Sequence, residues 1–501
     1  MRKKKEEPKL GPKQISSPGF LMRDKKLVFE QIERGVYAMY NLEKGTMLYK
    51  ESGPITDYFD EESDEQYLPL RRVPWSLATP KLTFTLGEEA GLWKDITQFI
   101  YDHLDVVEPE LYDVLAAWVF ATYLPEIWRV VPYIFFYGPV ATGKTRGLEV
   151  LQALSYRGFL GSNISSAALF RSCDKWHPTV CLDETEIYSS ADHLEVIGLL
   201  NAGYRKGQFA LRVKSTDQGQ ELEAFDVFGF KALSGTEGLA KTLESRSIKI
   251  RMIKNTRPIE FLVDLEKARE LRGKLLMWRF LKLHELLGEG CEGSEAFLGV
   301  PTSLNFANGR LIELFQPLLA VANEGFENIV KYAKKVYDIR QLEEETSVEA
   351  MILNALLDSE SKVEEKVILT KDIRETLNMD IPKRERFKTT TVGRIMRRLG
   401  FLPKHTRRGN GWVWNDSRVK LLTMRYLPGD IPPKTLSHPS QPSPTSLSPV
   451  KTGERCPQCG LFPVAYEYTE KGLKIRRCQH CIDKLKERGF QFTNLTEVEQ
   501  E

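Results

Sequence analysis

The residues from Val130 to Tyr137, VVPYIFFY, carry no charge and read as a strand buried on both faces. Gly138, Pro139, Val140, Ala141, Thr142, Gly143, Lys144 and Thr145 follow, and from Arg146 the apolar positions return at helical spacing. The pattern predicts strand, tight loop and helix in direct succession. Upstream, Leu92, Ile96, Phe99, Ile100 and Leu104, then Leu111, Leu115, Trp118, Val119 and Phe120, mark two packed helices. Further upstream, KLVFEQI, GVYAMYNL and GTMLYKE alternate apolar and polar residues between Gly35, Gly45 and Gly53, which predicts a small β-rich module over residues 1–86. Its pattern points to no task.

The segment Leu115 to Tyr137 is long enough to suggest a membrane span, with Glu126 and Arg129 as its only charges. Pro125 and Pro132 break it and it runs straight into the loop, so the expectation is a buried helix, a break and a buried strand. No membrane association is expected.

The loop satisfies GxxxxGK[ST] between a strand and a helix, the setting in which that spacing cradles phosphates. Gly138 and Gly143 allow backbone angles that a Cβ would oppose, so that N–H groups can turn toward an anion. Lys144 supplies a point charge for the β- and γ-phosphates, Thr145 a hydroxyl ligand for Mg²⁺, and the helix N-terminus its dipole. The nucleotide expected is ATP.

An apolar strand, Pro178 to Leu182, ends in Asp183 and Glu184, 38 positions after Thr145. That interval holds a helix, a strand and a second helix, as a doubly wound sheet requires before its next central strand. In isolation two carboxylates at a strand end form a solvated turn; after a phosphate loop Asp183 becomes the expected Mg²⁺ ligand and Glu184 the base that orients water. Residues 208–228 have the alternation and polar turn of a β-hairpin. A strand from Val227 to Leu233 then ends at Ser234 and Thr236, candidate sensors of the γ-phosphate. Arg246 stands immediately before another alternating strand. In a ring it would reach the neighbouring subunit's γ-phosphate; the alternative is a local salt bridge with Glu244 or another carboxylate.

Together, Gly138 to Thr145, Asp183-Glu184, the Asn201–Gly207 turn with its hairpin, Phe228–Leu233 and Glu244–Ile248 resemble an AAA+ ATPase. More narrowly they resemble the helicase-like ATPases of plasmid, viral and integrated mobile-element replication proteins, often near or fused to a primase. The resemblance covers about 90 to 425. It implies an α/β P-loop core over 87–255, a helical lid over 256–345 with Arg310 as a second nucleotide sensor, and a homo-oligomeric ring. By that similarity the hairpin tip faces DNA in the pore, with Arg212 and Lys214 as contacts. The asparagine those helicases commonly use as first sensor is not seen; Ser234 or Thr236 stands nearby instead.

Beyond residue 346 the pattern changes. Helices at 348–358 and 370–377 precede Lys388 to Leu399, and a basic turn Lys404–Trp414 with strand-like flanks closes a unit over 346–427, which predicts a winged helix. Val392, Ile395, Met396 and Leu399 form its buried stripe, leaving Lys388, Arg394, Arg397 and Arg398 outward, with Lys404, Arg407 and Arg408 on the turn. From Ile381 to Arg425 there are 13 Lys or Arg against Glu385 and Asp416. The whole chain is only +2, with 71 basic and 69 acidic side chains, so this local excess is a phosphate footprint and DNA the expected partner. Docking of a protein is the alternative use of such a module.

Residues 428–454 contain a Pro/Ser-rich tether. Over 455–501, Cys456-Pro-Gln-Cys459 and Cys478-Gln-His-Cys481, eighteen residues apart, have the spacing of a tetrahedral Zn²⁺ ribbon that folds on its metal. Redox-active pairs are the alternative. The cysteine usage, with no apolar stretch behind the N-terminal charges, fits a reducing cytoplasm.

The 501 residues thus lead to an expected DNA-stimulated ATPase, a helicase or translocase of mobile-element, plasmid or viral replication. Two alternatives stand beside it: a loader or transposition helper that hydrolyses ATP without unwinding, and a DNA-binding regulator switched by ATP.

Overall fold

The computed structural model describes residues 13–14, 17–22, 26–33, 36–50, 55–56, 66–68, 77–80, 89–162, 164–183, 194–216, 219–236, 238–287, 299, 302–307, 309–322, 324–379, 381–427, 466–470, 473–477 and 493–497. They fall into two compact units, Met1–Pro428 and Gly429–Glu501.

The first unit opens with β1 (Lys13–Gln14), β2 (Gly19–Met22), β3 (Leu27–Glu33), β4 (Val36–Asn41), β5 (Thr46–Lys50), β6 (Ile55–Thr56) and β7 (Gln66–Leu68). Strands β2 to β5 form an antiparallel sheet in sequence order. Val28, Ile32, Ala38 and Tyr40 are buried in the same apolar core as residues of the helices and strands that follow, so this sheet shares its core with them. A charged network crosses the junction. Arg157 donates to both carboxylate oxygens of Glu30, Tyr156 donates to Glu30 as well, and fully buried Arg279 pairs with Glu126 at 2.7 Å and approaches Glu30 at 3.5 Å.

Helices α1 (Glu89–His103) and α2 (Glu110–Thr122) come next. Every residue of α2 except Asp113 is buried, and β8 (Tyr133–Tyr137) begins after a break. This is the buried helix, break and strand expected of the long apolar segment. No helix among the described residues is long and apolar enough to cross a membrane. After β8 the chain alternates: α3 (Lys144–Leu154), β9 (Phe159–Ser162), α4 (Ser166–Trp176), β10 (Val180–Asp183) and α5 (Leu194–Ala202). Ser165 caps α4 by accepting from the Ala168 N–H. An antiparallel hairpin, β11 (Phe209–Thr216) and β12 (Gly219–Asp226), is inserted before β13 (Lys231–Gly235), short helix α6 (Lys241–Glu244) and β14 (Ser247–Arg251).

Five of these strands form one parallel sheet in the order β14-β8-β13-β10-β9. Its hydrophobic strand β8 lies inside the sheet between β14 and β13, and the loop that follows β8 opens at the carboxyl edge, where open α/β sheets hold their ligands. The helices α7 (Leu265–Leu287), α8 (Gly309–Val321) and α9 (Phe326–Glu345) pack on the same core. Lys331 and Lys335 of α9 pair with buried Glu110 and pull its carboxyl down to about 2.

A second apolar core lies under α10 (Val348–Asp358), β15 (Val367–Leu369), α11 (Thr370–Leu377), α12 (Thr389–Arg398), β16 (Pro403–Thr406), β17 (Gly409–Val413) and α13 (Asp416–Tyr426). The three strands are antiparallel in the order β15-β17-β16. Val392, Ile395, Met396 and Leu399 are buried, as their spacing predicted, and the indole of Trp412 ties β17 to Thr370 at 2.9 Å. The second unit contains β18 (Tyr466–Glu470), β19 (Leu473–Arg477) and β20 (Thr493–Glu497), antiparallel in the order β19-β18-β20. Cys456, Cys459, Cys478 and Cys481 lie outside the described residues.

Candidate nucleotide site

The loop between β8 and α3 is shaped by its backbone. Gly143 is left-handed at φ +87° and Ala141 at φ +61°, a conformation that costs a residue with a Cβ about 1–2 kcal/mol. A Cβ on Gly138 would fall 2.3 Å from the Met252 carbonyl oxygen, because the chain leaving β14 runs across the loop. On α3, a Cβ on Gly147 would fall 2.8 Å from the Phe136 ring, so glycine lets the helix lie directly on β8. Lys144 donates to the carbonyls of Gly138 (2.9 Å) and Pro139 (2.8 Å), which places its ammonium inside the curl of the loop. Thr142 braces the same curl through Pro139 at 2.8 Å. Val140 at the tip is exposed.

Three oxygen-bearing side chains meet beside Lys144. Thr145 donates to one oxygen of Asp183 at 2.9 Å, and Ser234 donates to the other. Strand pairing explains the meeting: β13 lies between β8 and β10, so the ends of all three strands reach one edge. Thr145 and Asp183 are hard oxygen donors, the set that Mg²⁺ takes together with nucleotide phosphates. Thr236 stands two positions beyond Ser234 and is exposed. Glu184 lies outside the described residues.

The structure does not bring Arg246 or Arg310 to this site. The Tyr133 N–H donates to the Arg246 carbonyl at 3.0 Å, which puts Arg246 at the first residue of β8, whereas the loop leaves its last. Four residue steps of strand separate the two edges, roughly 13 Å. Arg310, expected as a second nucleotide sensor, is at the Arg246 edge too. Its guanidinium lies 5.2 Å from the centre of the Tyr204 ring and donates to Glu313 at 2.6 Å; the Arg246 guanidinium lies 5.5 Å from the same ring. Burial, then the charge of Arg310, pushes the Arg246 pKa down. Arg246 donates to the Thr242 carbonyl, not to Glu244, which pairs with Lys249.

The hairpin carries both of its expected contact residues in surface ion pairs. Arg212 pairs with Glu195 and lies over the Phe170 ring, and Lys214 pairs with Glu223 at 3.1 Å. Phe209, Leu211, Val213 and Leu222 are exposed, as is Lys214. By alternation, odd-numbered β11 residues share one face, and Arg212 and Lys214 take the other.

In the C-terminal part of the first unit, Lys388, Arg394, Arg397, Lys404 and Arg407 are exposed. Arg394 and Arg397 line one groove with Thr389, Lys404 and Asn410, joining α12 to the β16–β17 turn. Two expected contacts are already paired: Arg398 with Glu349, and Arg408 with Glu364.

Sequence reasoning missed Tyr204, Arg205 and Glu313, whose grouping depends on α8 packing against the turn after α5. It also missed Arg146, which donates to the carbonyls of Glu260 and Phe261 and fixes the chain leaving β14 beside the loop helix. Neither position has a local signal, because each partner is more than a hundred residues away.

No protein-family model matches the chain, and no curated protein matches it in sequence. Among solved structures it is similar to an active helicase, Cch of SCCmec type IV, at 11% identity over 77% of this chain and 79% of that one, with a TM-score of 0.37. It is similar to the C-terminal region of NrS-1 in its apo form, at 14% identity over 76% and 94%, TM-score 0.30. A third likeness is to the JCV helicase, at 14% identity over 51% and 62%, TM-score 0.23. On its own geometry, strand, glycine-bounded loop and helix on a parallel sheet with carboxylate and hydroxyl at the next strand ends, the core is a P-loop nucleotide-binding fold.

Proposed function

We propose that this chain is an ATP- and Mg²⁺-dependent ATPase of the AAA+ kind that works on DNA as a homo-oligomeric ring, a helicase or translocase in the replication of a mobile element, plasmid or virus. The observation that carries the reading is the convergence of Lys144, Thr145, Asp183 and Ser234 at one sheet edge. Lys144 and the loop hold the phosphates. Thr145 and Asp183 would hold Mg²⁺, which neutralises charge on the phosphate oxygens when bound. Ser234 orients the Asp183 carboxylate, Glu184 accepts a proton from the attacking water, and Arg246 acts on the nucleotide of the next subunit.

The unit over 346–427 is read as a winged helix that grips DNA through Lys388, Arg394, Arg397, Lys404 and Arg407, and the cysteines of 455–501 as a zinc ribbon. Steady-state ATPase activity with and without single-stranded or duplex DNA tests the reading, with Glu184→Gln as the blank. DNA stimulation supports it; nucleotide binding without turnover leaves an ATP-operated switch. For the tail, Cys478→Ser should release zinc while ATPase activity stays largely intact, and retention of the metal would remove the ribbon.

A second reading, a loader or helper that hydrolyses ATP without unwinding, is favoured by one observation. The hairpin's cations Arg212 and Lys214 are ion-paired, and Phe209, Leu211, Val213 and Leu222 are exposed. Strand displacement separates the two: ATPase activity without it favours the helper.

A further inference from the structure

At the edge of the sheet opposite the phosphate loop, Arg246 and Arg310 share the Tyr204 ring. Tyr204 is fixed from below by Tyr133, whose ring meets it edge-on at 5.9 Å and whose hydroxyl donates to the Leu200 carbonyl. Glu313 accepts from Arg310 at 2.6 Å, from Arg205 at 2.8 Å and from the Tyr204 hydroxyl at 3.3 Å. Around this centre, Lys249 pairs with Glu244 and Glu343, while Arg340 feels the charges of both carboxylates. Five cations, Arg205, Arg246, Lys249, Arg310 and Arg340, therefore face three carboxylates, Glu244, Glu313 and Glu343. Arg246 also has a buried Nε with no hydrogen-bond partner. Two adjacent guanidiniums in excess over their carboxylates form a receptor for a polyanion, with the fork geometry that suits phosphate oxygens.

No phosphate of the chain's own nucleotide can reach them, because the loop opens at the other end of β8. We propose that Arg310 acts together with Arg246 on the γ-phosphate of the nucleotide held by a neighbouring copy of this chain, as a second arginine supplied in trans rather than a sensor within its own subunit. The inference rests on the reading of the chain as a ring ATPase with Arg246 in trans, and extends it to a residue on a different helix.

In the reaction, the oxygen of water forms a bond to the γ-phosphorus as the bond from that phosphorus to the β–γ bridging oxygen breaks. The electron pair of the broken bond stays on ADP, and the water proton passes to the base assigned to Glu184. Arg246 and Arg310 exchange no proton; they bind the phosphoryl oxygens on which charge is redistributed. Tyr204 and Glu313 are positioning residues: both guanidiniums lie against the Tyr204 ring, and Glu313 holds that of Arg310.

Mixed oligomers test this. Arg310→Ala should lower turnover about 10²-fold while ATP binding to its own loop is kept. Lys144→Ala has a disabled loop and intact arginines. Mixing the two inactive variants should restore turnover, since intact loops then face intact arginines, and Arg246→Ala mixed with Lys144→Ala serves as the parallel case. Recovery with Arg246→Ala but not with Arg310→Ala would overturn the proposal and leave the ring reading standing. Recovery with neither would overturn both. Arg310→Lys, which keeps the pairing with Glu313 and the charge, guards against a folding defect: it should retain the wild-type unfolding temperature and part of the activity. Full activity in Arg310→Ala would equally overturn the proposal.

Discussion

Thr145 donates a hydrogen bond to Asp183 at 2.9 Å, joining the first turn of α3 to the end of β10 across 38 positions of sequence. The same carboxylate accepts from Ser234 on its other oxygen, so its plane is set by two hydroxyls on two further elements. A carboxylate held in this way is preorganised to take a cation without reorienting, which is where its effect on rate would arise.

Asp183→Asn tests that arrangement. The amide keeps the size and one acceptor oxygen but loses the charge that a divalent ion requires. Turnover should fall at least about 10²-fold, and the Mg²⁺-dependent part of nucleotide affinity should disappear while binding in chelator stays as in the wild type. Titration of a fluorescent ATP analogue with and without Mg²⁺ measures both. An Mg²⁺ dependence equal to that of the wild type would remove Asp183 from the metal.

Gly147 probes the contact between the loop helix and its strand. An alanine Cβ there would sit 2.8 Å from the Phe136 ring, against a buried aromatic of β8. Gly147→Ala should therefore shift α3 outward, destabilise the protein by about 1–3 kcal/mol and weaken ATP binding. Denaturant unfolding and nucleotide titration check it together; unchanged values for both would mean that Phe136 yields freely.

Much of the nucleotide site was legible because its signals are local. Gly138 to Thr145 and Asp183 announce themselves by spacing, and the polar tip of an apolar strand located Ser234. The surroundings of Arg310 were not legible for a physical reason: sequence shows that a guanidinium lies near the start of a helix, but not that Tyr204 and Glu313 stand beside it. The hairpin shows the same limit, since alternation could tell that Arg212 and Lys214 share a face but not that Phe170 and Glu195 engage Arg212. The charged seam from Glu30 to Arg157, Arg279 and Glu126 left no trace at all, each member reading as an ordinary surface residue.

That seam carries a pH prediction. Burial alone would raise the Glu126 carboxyl, but the charge and hydrogen bonds of Arg279 outweigh it and bring the group down to about 2, from an ordinary 4.5. Glu110, held by hydrogen bonds from Lys331, is also down at about 2. Folded-state pKa values below the unfolded ones mean that both carboxylates stabilise the fold above about pH 4.5 and lose that contribution as pH falls toward 2. Arg279→Leu removes the ion pair of Glu126 and leaves Glu30 to Arg157. It should cost about 3–5 kcal/mol near neutral pH, and the deficit should shrink on acidification as Glu126 protonates. Urea unfolding at pH 7 and at pH 3.5 gives both values, and a deficit that does not change with pH would assign the loss to packing.

The basic C-terminal unit yields the last prediction. Arg394, Arg397 and Lys404 line one groove, whereas Arg398 and Arg408 are engaged by Glu349 and Glu364. If duplex DNA lies along the groove, each groove cation neutralises a phosphate and releases counterions. Its removal should then lower the slope of log K against log salt by about 0.9 and weaken binding regardless of sequence. Arg398 and Arg408 would first have to leave their carboxylates, so alanine at either should change the slope much less. Fluorescence anisotropy of a labelled duplex over a salt series, for Arg394→Ala, Arg397→Ala, Arg398→Ala and Arg408→Ala, separates the two classes. Equal slopes for all four would mean that DNA does not use the groove, and the local excess of cations would then act only as a diffuse field around the unit.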